Sequence, residues 1–297
     1  IKLIDQLDAP PNRPGMYERL SRGATLLAIG LVKKVLIADT AARIVDPLFA
    51  TAATETLSLV DAWMAALAFT IQIYFDFSGY SDMAIGLALM FGLRLPFNFN
   101  IPYRATSIRE FWRRWHMTLS HFLRDYLYIP LGGGHHGLKR QSFALTVTMF
   151  LGGLWHGAGW TFVAWGLMHG AGLAAHAWWD KLSGRRMPAP AAWIVTMVFV
   201  ITGWVLFRAT SFTEAASIIQ SMFAMNGIGL ETTKYGGPWY IVPIGAAIAL
   251  LGPSSQDAAL ERTYDRPWAA VATATALVMC VILVGSGEHP EFIYFQF

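Results

Sequence analysis

The hydrophobic pattern of the chain is dominated by residues 141–179, which contain no Lys, Arg, Asp or Glu. A single helix over this stretch would be about 58 Å long at ~1.5 Å per residue, well beyond the ~30 Å hydrocarbon core of a bilayer. We therefore expect a hairpin of two apolar helices, broken near four central glycines at positions 152, 153, 157 and 159. Because backbone freed at membrane depth must be satisfied by protein or a water-filled cavity, we expect the break to line a cavity.

Other apolar stretches predict further spans. Residues 191–207 and 268–287 carry no charge and are long enough, or nearly so, to cross a bilayer. Residues 57–77 form another apolar run, which the polar residues of 75–82 interrupt before a short apolar piece at 83–91. A return span is expected near 241–251.

The stretch 20–45 shows helical periodicity but holds two lysines, Lys33 and Lys34. We interpret it as a helix lying partly in the interface, with the lysine ammonium groups reaching toward water.

Composition agrees with a membrane protein. Of 297 residues, 55% are hydrophobic and only 14% charged, and the mean hydropathy is +0.43. These values predict an all-α, polytopic membrane protein rather than a soluble domain. The net charge is +3, and the basic residues lie between apolar spans. This arrangement favours basic cytoplasmic loops over nucleic-acid binding. Cys280 stands alone in an apolar run, so no disulfide framework is expected.

Basic residues also predict the orientation. Residues 94–140 interleave arginines and lysines with aromatics, which is typical of helices at or dipping in from the cytoplasmic interface. Lys139, Lys181 and Arg262 would face the cytoplasm, and Glu231 and His289 would face outward. We expect one transmembrane domain over residues 1–297, with 94–140 as its interfacial section. The chain begins without Met or a signal-peptide pattern, and we interpret it as the C-terminal portion of a longer protein.

Two of the eight histidines are candidates for chemistry. His156 lies at the predicted break, and His116 precedes Ser120 by one helical turn. For both, a hydrogen-bonded packing residue and a reactive imidazole remain open, although burial favours the neutral, proton-accepting form of an imidazole. Paired cysteines and a His-Glu-x-x-His motif are both absent from the sequence, so no metal site is predicted.

Long motifs then point to a family. The strings REFWRRWHMTLSHFLRDYLYIPLGG at 109–133 and LWHG at 154–157 resemble the membrane-bound O-acyltransferase family. The strings YFDFSGYSD at 74–82 and PFNFNIPY at 96–103 are similar to its bacterial branch of alginate and other polysaccharide O-acetyltransferases. The resemblance runs from about residue 57 to the C-terminus. It implies a helical bundle around a central tunnel, with interfacial helices.

By this resemblance His156 is the family's catalytic histidine, 141–179 is the catalytic hairpin, and His116 matches a second histidine that is Asn in many relatives. The implied reaction transfers an acetyl or other acyl group across the bacterial inner membrane to hydroxyls of an extracytoplasmic polysaccharide such as alginate. The donor would be a cytoplasmic thioester, acetyl-CoA or an acyl carrier, with no bound cofactor. Implied partners are a secreted or periplasmic SGNH-type acetyltransferase, the polysaccharide and membrane lipids, with no nucleic acid.

Further site residues are expected around the two histidines. Candidates for lining the tunnel are Asp76, Ser78, Asp82, Ser120 and Trp155. Arg113, Arg114 and Arg124 are interpreted as cytoplasmic anchors rather than contacts to donor phosphates.

The C-terminal hexapeptide 292–297 carries four aromatics and resembles the terminal motif of this branch. Its Tyr294 is a candidate acyl relay, and an interfacial aromatic belt is the alternative.

Two other functions remain open from the sequence. Intramembrane His and Asp residues together with broken helices also mark proton-coupled transporters and channels. A non-catalytic scaffold for a secreted acetyltransferase is the other alternative.

Overall fold

The computed structural model describes residues 4–7, 14–184, 187–226, 237–262 and 266–286. Within these ranges every regular element is helical, which confirms the predicted all-α class. The first four α-helices are α1 (Ile4–Leu7), α2 (Met16–Val32), α3 (Asp39–Ala52) and α4 (Leu59–Met90). A π-helical segment, Lys33–Ala38, joins α2 to α3 without a break.

The remaining elements follow in order. They are a 3₁₀ turn (Pro102–Arg104), α5 (Ile108–Arg114), α6 (Met117–Leu123), a second π segment (Arg124–Tyr128), α7 (Gly137–His156), α8 (Trp160–Leu182), α9 (Ala189–Arg208), α10 (Phe212–Met222), α11 (Ile241–Leu251), a third π segment (Asp257–Arg262) and α12 (Pro267–Ser286).

Helix α4 lies at the centre of the bundle. It packs against α2, α3, α9, α10 and α11, and its residues make up much of the apolar core. Its approach to α2 is close because two glycines face each other: a Cβ on Gly79 would lie 2.8 Å from the Gly30 carbonyl oxygen. Contact at this distance brings the side chains that follow Gly30 within reach of α4.

The predicted interruption of α4 at residues 75–82 is wrong. Residues Leu59–Met90 form one helix, in which Asp76, Ser78 and Asp82 are buried. Lys34 Nζ lies 2.7 Å from an Asp76 carboxylate oxygen and 2.8 Å from one of Asp39. Polar side chains that find such partners leave the backbone hydrogen bonds of α4 undisturbed.

The interpretation of the two lysines as interfacial is also wrong. The Lys33 and Lys34 side chains are only 13% and 17% exposed. Lys33 Nζ donates to Asp82 at 2.7 Å, to Ser78 at 3.2 Å and to Ser255 at 2.6 Å. We call the set Lys33, Lys34, Asp39, Asp76, Ser78, Asp82 and Ser255 the buried ion network.

The hairpin over 141–179 is confirmed. Helices α7 and α8 make the most extensive contact between any two described elements, and residues 157–159 separate them. At their crossing a Cβ on Gly166 would lie 3.2 Å from the Cα of Gly153, so the two backbones pack tightly. The spans expected at 191–207, 241–251 and 268–287 correspond to α9, α11 and α12.

Among the described residues, three helices are long and apolar enough to cross a membrane. They are Leu59–Met90, Ala189–Arg208 and Pro267–Gly285, with mean hydropathies of 1.2, 2.0 and 2.2. Of these three helices, only α4 has most of its apolar stretch buried against other helices. The buried share is 72% in α4 and 11% in α12. The surface of α12 is thus available to lipid, while α4 supports the interior.

Candidate active site

His116 lies in the turn between α5 and α6. It precedes Met117 at the start of α6 and has a left-handed backbone conformation with φ 40° and ψ 56°. This conformation costs free energy for a residue with a Cβ and persists only where the surroundings enforce it. The imidazole is half-buried and meets the Phe77 ring of α4 edge-on, with ring centroids 4.7 Å apart.

His156 is the last residue of α7, at the hairpin break. Gly157 follows it with extended backbone, so the helix ends at His156. The imidazole therefore lies directly at the break between α7 and α8. Rings of α8 and α9 surround it, with centroids 5.3 Å away for Trp165 and 5.0 Å for Phe207. Trp155 lies beside both histidines, 4.9 Å from His156 and 6.4 Å from His116, and is 60% exposed.

The two histidines line one narrow, enclosed space. Its other walls are aromatic and aliphatic, and the space is too narrow for a water molecule. We call it the histidine cavity; its lining residues are Trp112, Trp115, His116, Leu119, His156, Trp165, Trp204 and Phe207. None of these described lining residues carries a carboxylate, so their polar groups are the imidazoles and the indole N–H groups.

A larger cleft adjoins the histidine cavity. It has a volume of about 470 Å³ and an apolar floor that includes Leu123, Leu145 and Met149. Three arginines contribute to its lining, namely Arg109, Arg113 and Arg124. Trp112 lines both spaces, and its indole therefore stands between them. We call this space the basic cleft.

Three arginines of the interfacial section form ion pairs. Arg109 pairs with Asp180 at 2.9 Å, Arg124 with Asp125 at 2.7 Å and Arg114 with Glu110 at 2.7 Å. Partial burial opposes ionisation of Glu110, but hydrogen bonds from Thr106 and Arg114 outweigh it and lower the pKa of its carboxyl. These pairs suit a structural role in anchoring the section.

Trp112 is held by His169. Its indole N–H donates to Nδ1 of His169 at 3.2 Å, and His169 is completely buried in α8. A neutral histidine that accepts at Nδ1 carries its proton on Nε2, so His169 acts here as a packing and orienting residue.

The other predicted site residues are distributed differently. Asp76, Ser78 and Asp82 belong to the buried ion network, so the structure brings them to the two lysines and not to the two histidines. Ser120 lines the basic cleft and donates to the Trp115 carbonyl at 3.1 Å. Tyr294, with the rest of 292–297, lies outside the described residues, as do Glu231 and His289.

Sequence reasoning missed the indole walls of the histidine cavity. Trp112 and Trp115 stand in the same string as His116, but Trp165 and Trp204 come from two other helices. The available signal was the density of tryptophan, 12 in 297 residues, which is otherwise explained by membrane interfaces. Spacing within one helix does not indicate that four indoles meet.

Fold and site define a membrane-embedded helical protein with two histidines in one enclosed, aromatic-walled cavity. The family model for MBOAT, the membrane-bound O-acyltransferase family, matches residues 3–219. The chain therefore belongs to the membrane-bound O-acyltransferase family and is membrane-integral.

Several curated proteins are similar to this chain. It is 45% identical over 232 residues to a peptidoglycan O-acetyltransferase of Helicobacter pylori, a match that covers 77% of the chain and 44% of that protein. It is 47% identical over 222 residues to the probable alginate O-acetylase AlgI of Pseudomonas aeruginosa, covering 75% and 42%. A teichoic acid D-alanyltransferase of Streptococcus thermophilus is 28% identical over 57% of the chain. The chain spans less than half the length of these relatives.

Proposed function

We propose that this chain carries the reaction centre of an O-acyltransferase that acetylates hydroxyl groups of an extracytoplasmic polysaccharide in the bacterial inner membrane. The observation that carries the proposal is the histidine cavity, where His116 and His156 from separate elements meet beside the basic cleft. The names of the relatives, an alginate O-acetylase and a peptidoglycan O-acetyltransferase, support this substrate class. From the sequence we expected an extracytoplasmic polysaccharide such as alginate, with the identity of the acceptor left open.

In the proposed step His156 takes the proton of the attacking hydroxyl. The hydroxyl oxygen forms a bond to the acyl carbonyl carbon, and the bond from that carbon to the thioester sulfur breaks. The proton on His156 then passes to the departing thiolate, which restores the neutral imidazole. Such base catalysis typically contributes ~10²–10⁴-fold in rate. His116 would orient a partner group or stabilise charge that develops on the carbonyl oxygen.

The tight aromatic walls suit this chemistry. A space that excludes water protects a thioester from hydrolysis, and an acyl group must displace side chains to enter it. Acetyl is the smallest common acyl group, so its entry requires the least displacement. The cavity therefore supports acetyl over longer chains.

The basic cleft is the proposed approach for the donor. Arg113 lines it and makes no ion pair with any residue that the structure describes, unlike Arg109 and Arg124. Its guanidinium would bind phosphate groups of acetyl-CoA or of an acyl carrier. The Trp112 indole lies between this cleft and the histidine cavity.

Two further assignments extend the proposal beyond the described residues. Tyr294 would carry the acyl group transiently as an ester, activated by His156, and deliver it to a secreted SGNH-type acetyltransferase. Tyr294→Phe keeps the apolar ring and removes the nucleophile, so it should abolish delivery to the acceptor. Normal acetylation by the Tyr294→Phe variant would leave the hexapeptide as an interfacial anchor.

A vesicle assay tests the function. Inside-out membrane vesicles containing the full protein receive labelled acetyl-CoA outside, and the polysaccharide acceptor is enclosed together with the secreted acetyltransferase. Label on the enclosed acceptor that depends on His156 supports acyl transfer across the membrane. Proton or ion flux without acetylated product would instead indicate a transporter. Product that is unaffected by His156→Ala but requires a second enzyme would indicate a scaffold.

A further inference from the structure

The backbone around His116 is held by a neighbouring segment, 98–100, that runs beside residues 114–118. The Asn100 N–H donates to the Arg114 carbonyl at 2.9 Å, and the Met117 N–H donates to the Asn98 carbonyl at 2.9 Å. These two bonds lie on either side of His116 and enforce its left-handed backbone conformation. Asn98 is therefore placed directly against the turn that presents the imidazole.

The side-chain amide of Asn98 has a defined orientation. Its Oδ1 accepts from the Thr118 hydroxyl at 2.6 Å and from the Thr118 backbone N–H at 3.4 Å. Its Nδ2 donates to the Ser81 hydroxyl of α4 at 3.1 Å. Because a backbone N–H only donates, the atom facing it must be the amide oxygen, and the reversed amide would set two donors against each other.

The orientation of Asn98 determines what faces His116. Nδ1 of His116 lies 3.3 Å from Asn98 Oδ1, which acts only as an acceptor. A hydrogen bond between them requires the proton to be on Nδ1. In the neutral ring the second nitrogen, Nε2, then keeps its lone pair.

We propose that Asn98 is a positioning residue that fixes His116 in the Nδ1–H tautomer, so that Nε2 of His116 serves as a hydrogen-bond acceptor for a hydroxyl of the acceptor other than the one that His156 deprotonates. The proposal rests on the acyl-transfer function above and chooses between the two roles left open for His116. A neutral Nε2 with a lone pair accepts a proton or hydrogen bond and does not donate to a carbonyl oxygen. His116 thus orients the acceptor through a hydroxyl that keeps its proton, while His156 deprotonates the attacking hydroxyl, and charge on the carbonyl oxygen must be stabilised by other groups.

The tautomer is tested directly by NMR. The full chain is labelled with ¹⁵N-histidine and reconstituted in lipid bilayers, and the His116 signals are assigned by their loss in His116→Asn. We expect a protonated Nδ1 and an unprotonated Nε2 in the unsubstituted protein, and a mixture of tautomers in Asn98→Leu. A protonated Nε2 in the unsubstituted protein would overturn the proposal, and so would an unchanged spectrum in Asn98→Leu.

Activity separates positioning from structural support. Asn98→Leu keeps the approximate shape but removes the acceptor, and should lower kcat by about 10–100-fold, the range known for partners that orient a metal-bound histidine. Asn98→Asp keeps an acceptor for Nδ1–H and should regain most of this activity. The matched control is Asn100→Leu, since Asn100 is exposed and contacts the turn through its backbone. Equal losses in Asn98→Leu and Asn98→Asp would contradict the proposal.

A double variant distinguishes loss of positioning from misfolding as the cause of lower activity in Asn98→Leu. Combined with His116→Asn, the Asn98→Leu change should cost little further activity, because residues that act as one unit are not additive. A full additional loss would indicate that Asn98 acts elsewhere. If His116→Asn and His156→Ala both retained full activity, the proposed function would fail, whereas the NMR result on the tautomer would stand by itself.

Discussion

Two groups of buried polar side chains lie in the same bundle, and helix α4 contributes to the surroundings of both. In the buried ion network each ammonium group meets at least one carboxylate at 2.7–2.8 Å. In the histidine cavity two imidazoles meet aromatic rings, and the lining holds no carboxylate. The first group is held by pairs of opposite charge, whereas the described side chains packed around the two imidazoles are mainly aromatic rings.

The difference indicates what each region does. A buried charge with full partners holds helices in register, and removing one partner is costly because the other remains unpaired. An imidazole among aromatic rings adds little to packing, and its function is instead to take up and release a proton. We therefore expect loss of stability without a specific catalytic effect in the first region, and the reverse in the second.

The largest expected effect is on catalysis in the histidine cavity. His156→Ala should lower the rate of acetyl transfer by ~10²–10⁴-fold, because it removes the proposed base. Acetylated product in the vesicle assay measures the effect, and the apparent Tm in detergent should stay near that of the unsubstituted protein. Substantial acetylated product from His156→Ala would contradict the proposal that the histidine cavity is catalytic while the buried ion network is structural.

The next effect is on stability in the buried ion network. Lys33→Met leaves Asp82 without its ammonium partner and should cost about 3–5 kcal/mol, read as a marked fall in apparent Tm. Adding Asp82→Leu should recover much of that loss, because the unpaired charge is then gone. Asp46→Asn serves as the control, since its pair with Arg208 is 54% exposed on the Asp46 side and should be nearly neutral. An unchanged Tm in Lys33→Met would mean that the network is not a structural element.

A smaller effect distinguishes orientation from proton transfer at His116. Asn retains a side-chain acceptor while Ala does not, so His116→Asn should retain about tenfold more activity than His116→Ala. Initial rates at saturating donor and acceptor make the comparison. Equal activity in the two variants would argue against an orienting role.

The smallest effect concerns the donor approach. Arg113→Ala should raise the KM for acetyl-CoA by about 3–10-fold with little change in kcat, because a charge contact made by an exposed side chain such as Arg113 contributes only ~1 kcal/mol. Arg114→Ala is the comparison, since Arg114 is paired with Glu110. If both changes leave KM unaltered, the basic cleft is not the donor site.

The sequence by itself determined the helical framework of this protein. The length of the charge-free stretch 141–179 required a turn, and its glycines indicated where, because the thickness of a bilayer limits a straight helix. Apolar runs located α9, α11 and α12, and the motif strings indicated His116, His156 and the family. All of these signals are local in the chain.

Only the tertiary structure decided how the polar residues are used. The polar run 75–82 predicted a break, yet α4 continues because lysines some 45 residues earlier reach its aspartates and Ser78. Likewise Asn98 meets His116 only because segment 98–100 folds beside the start of α6. A buried polar group is stable only with a partner, and a partner distant in sequence leaves no trace in hydrophobic periodicity.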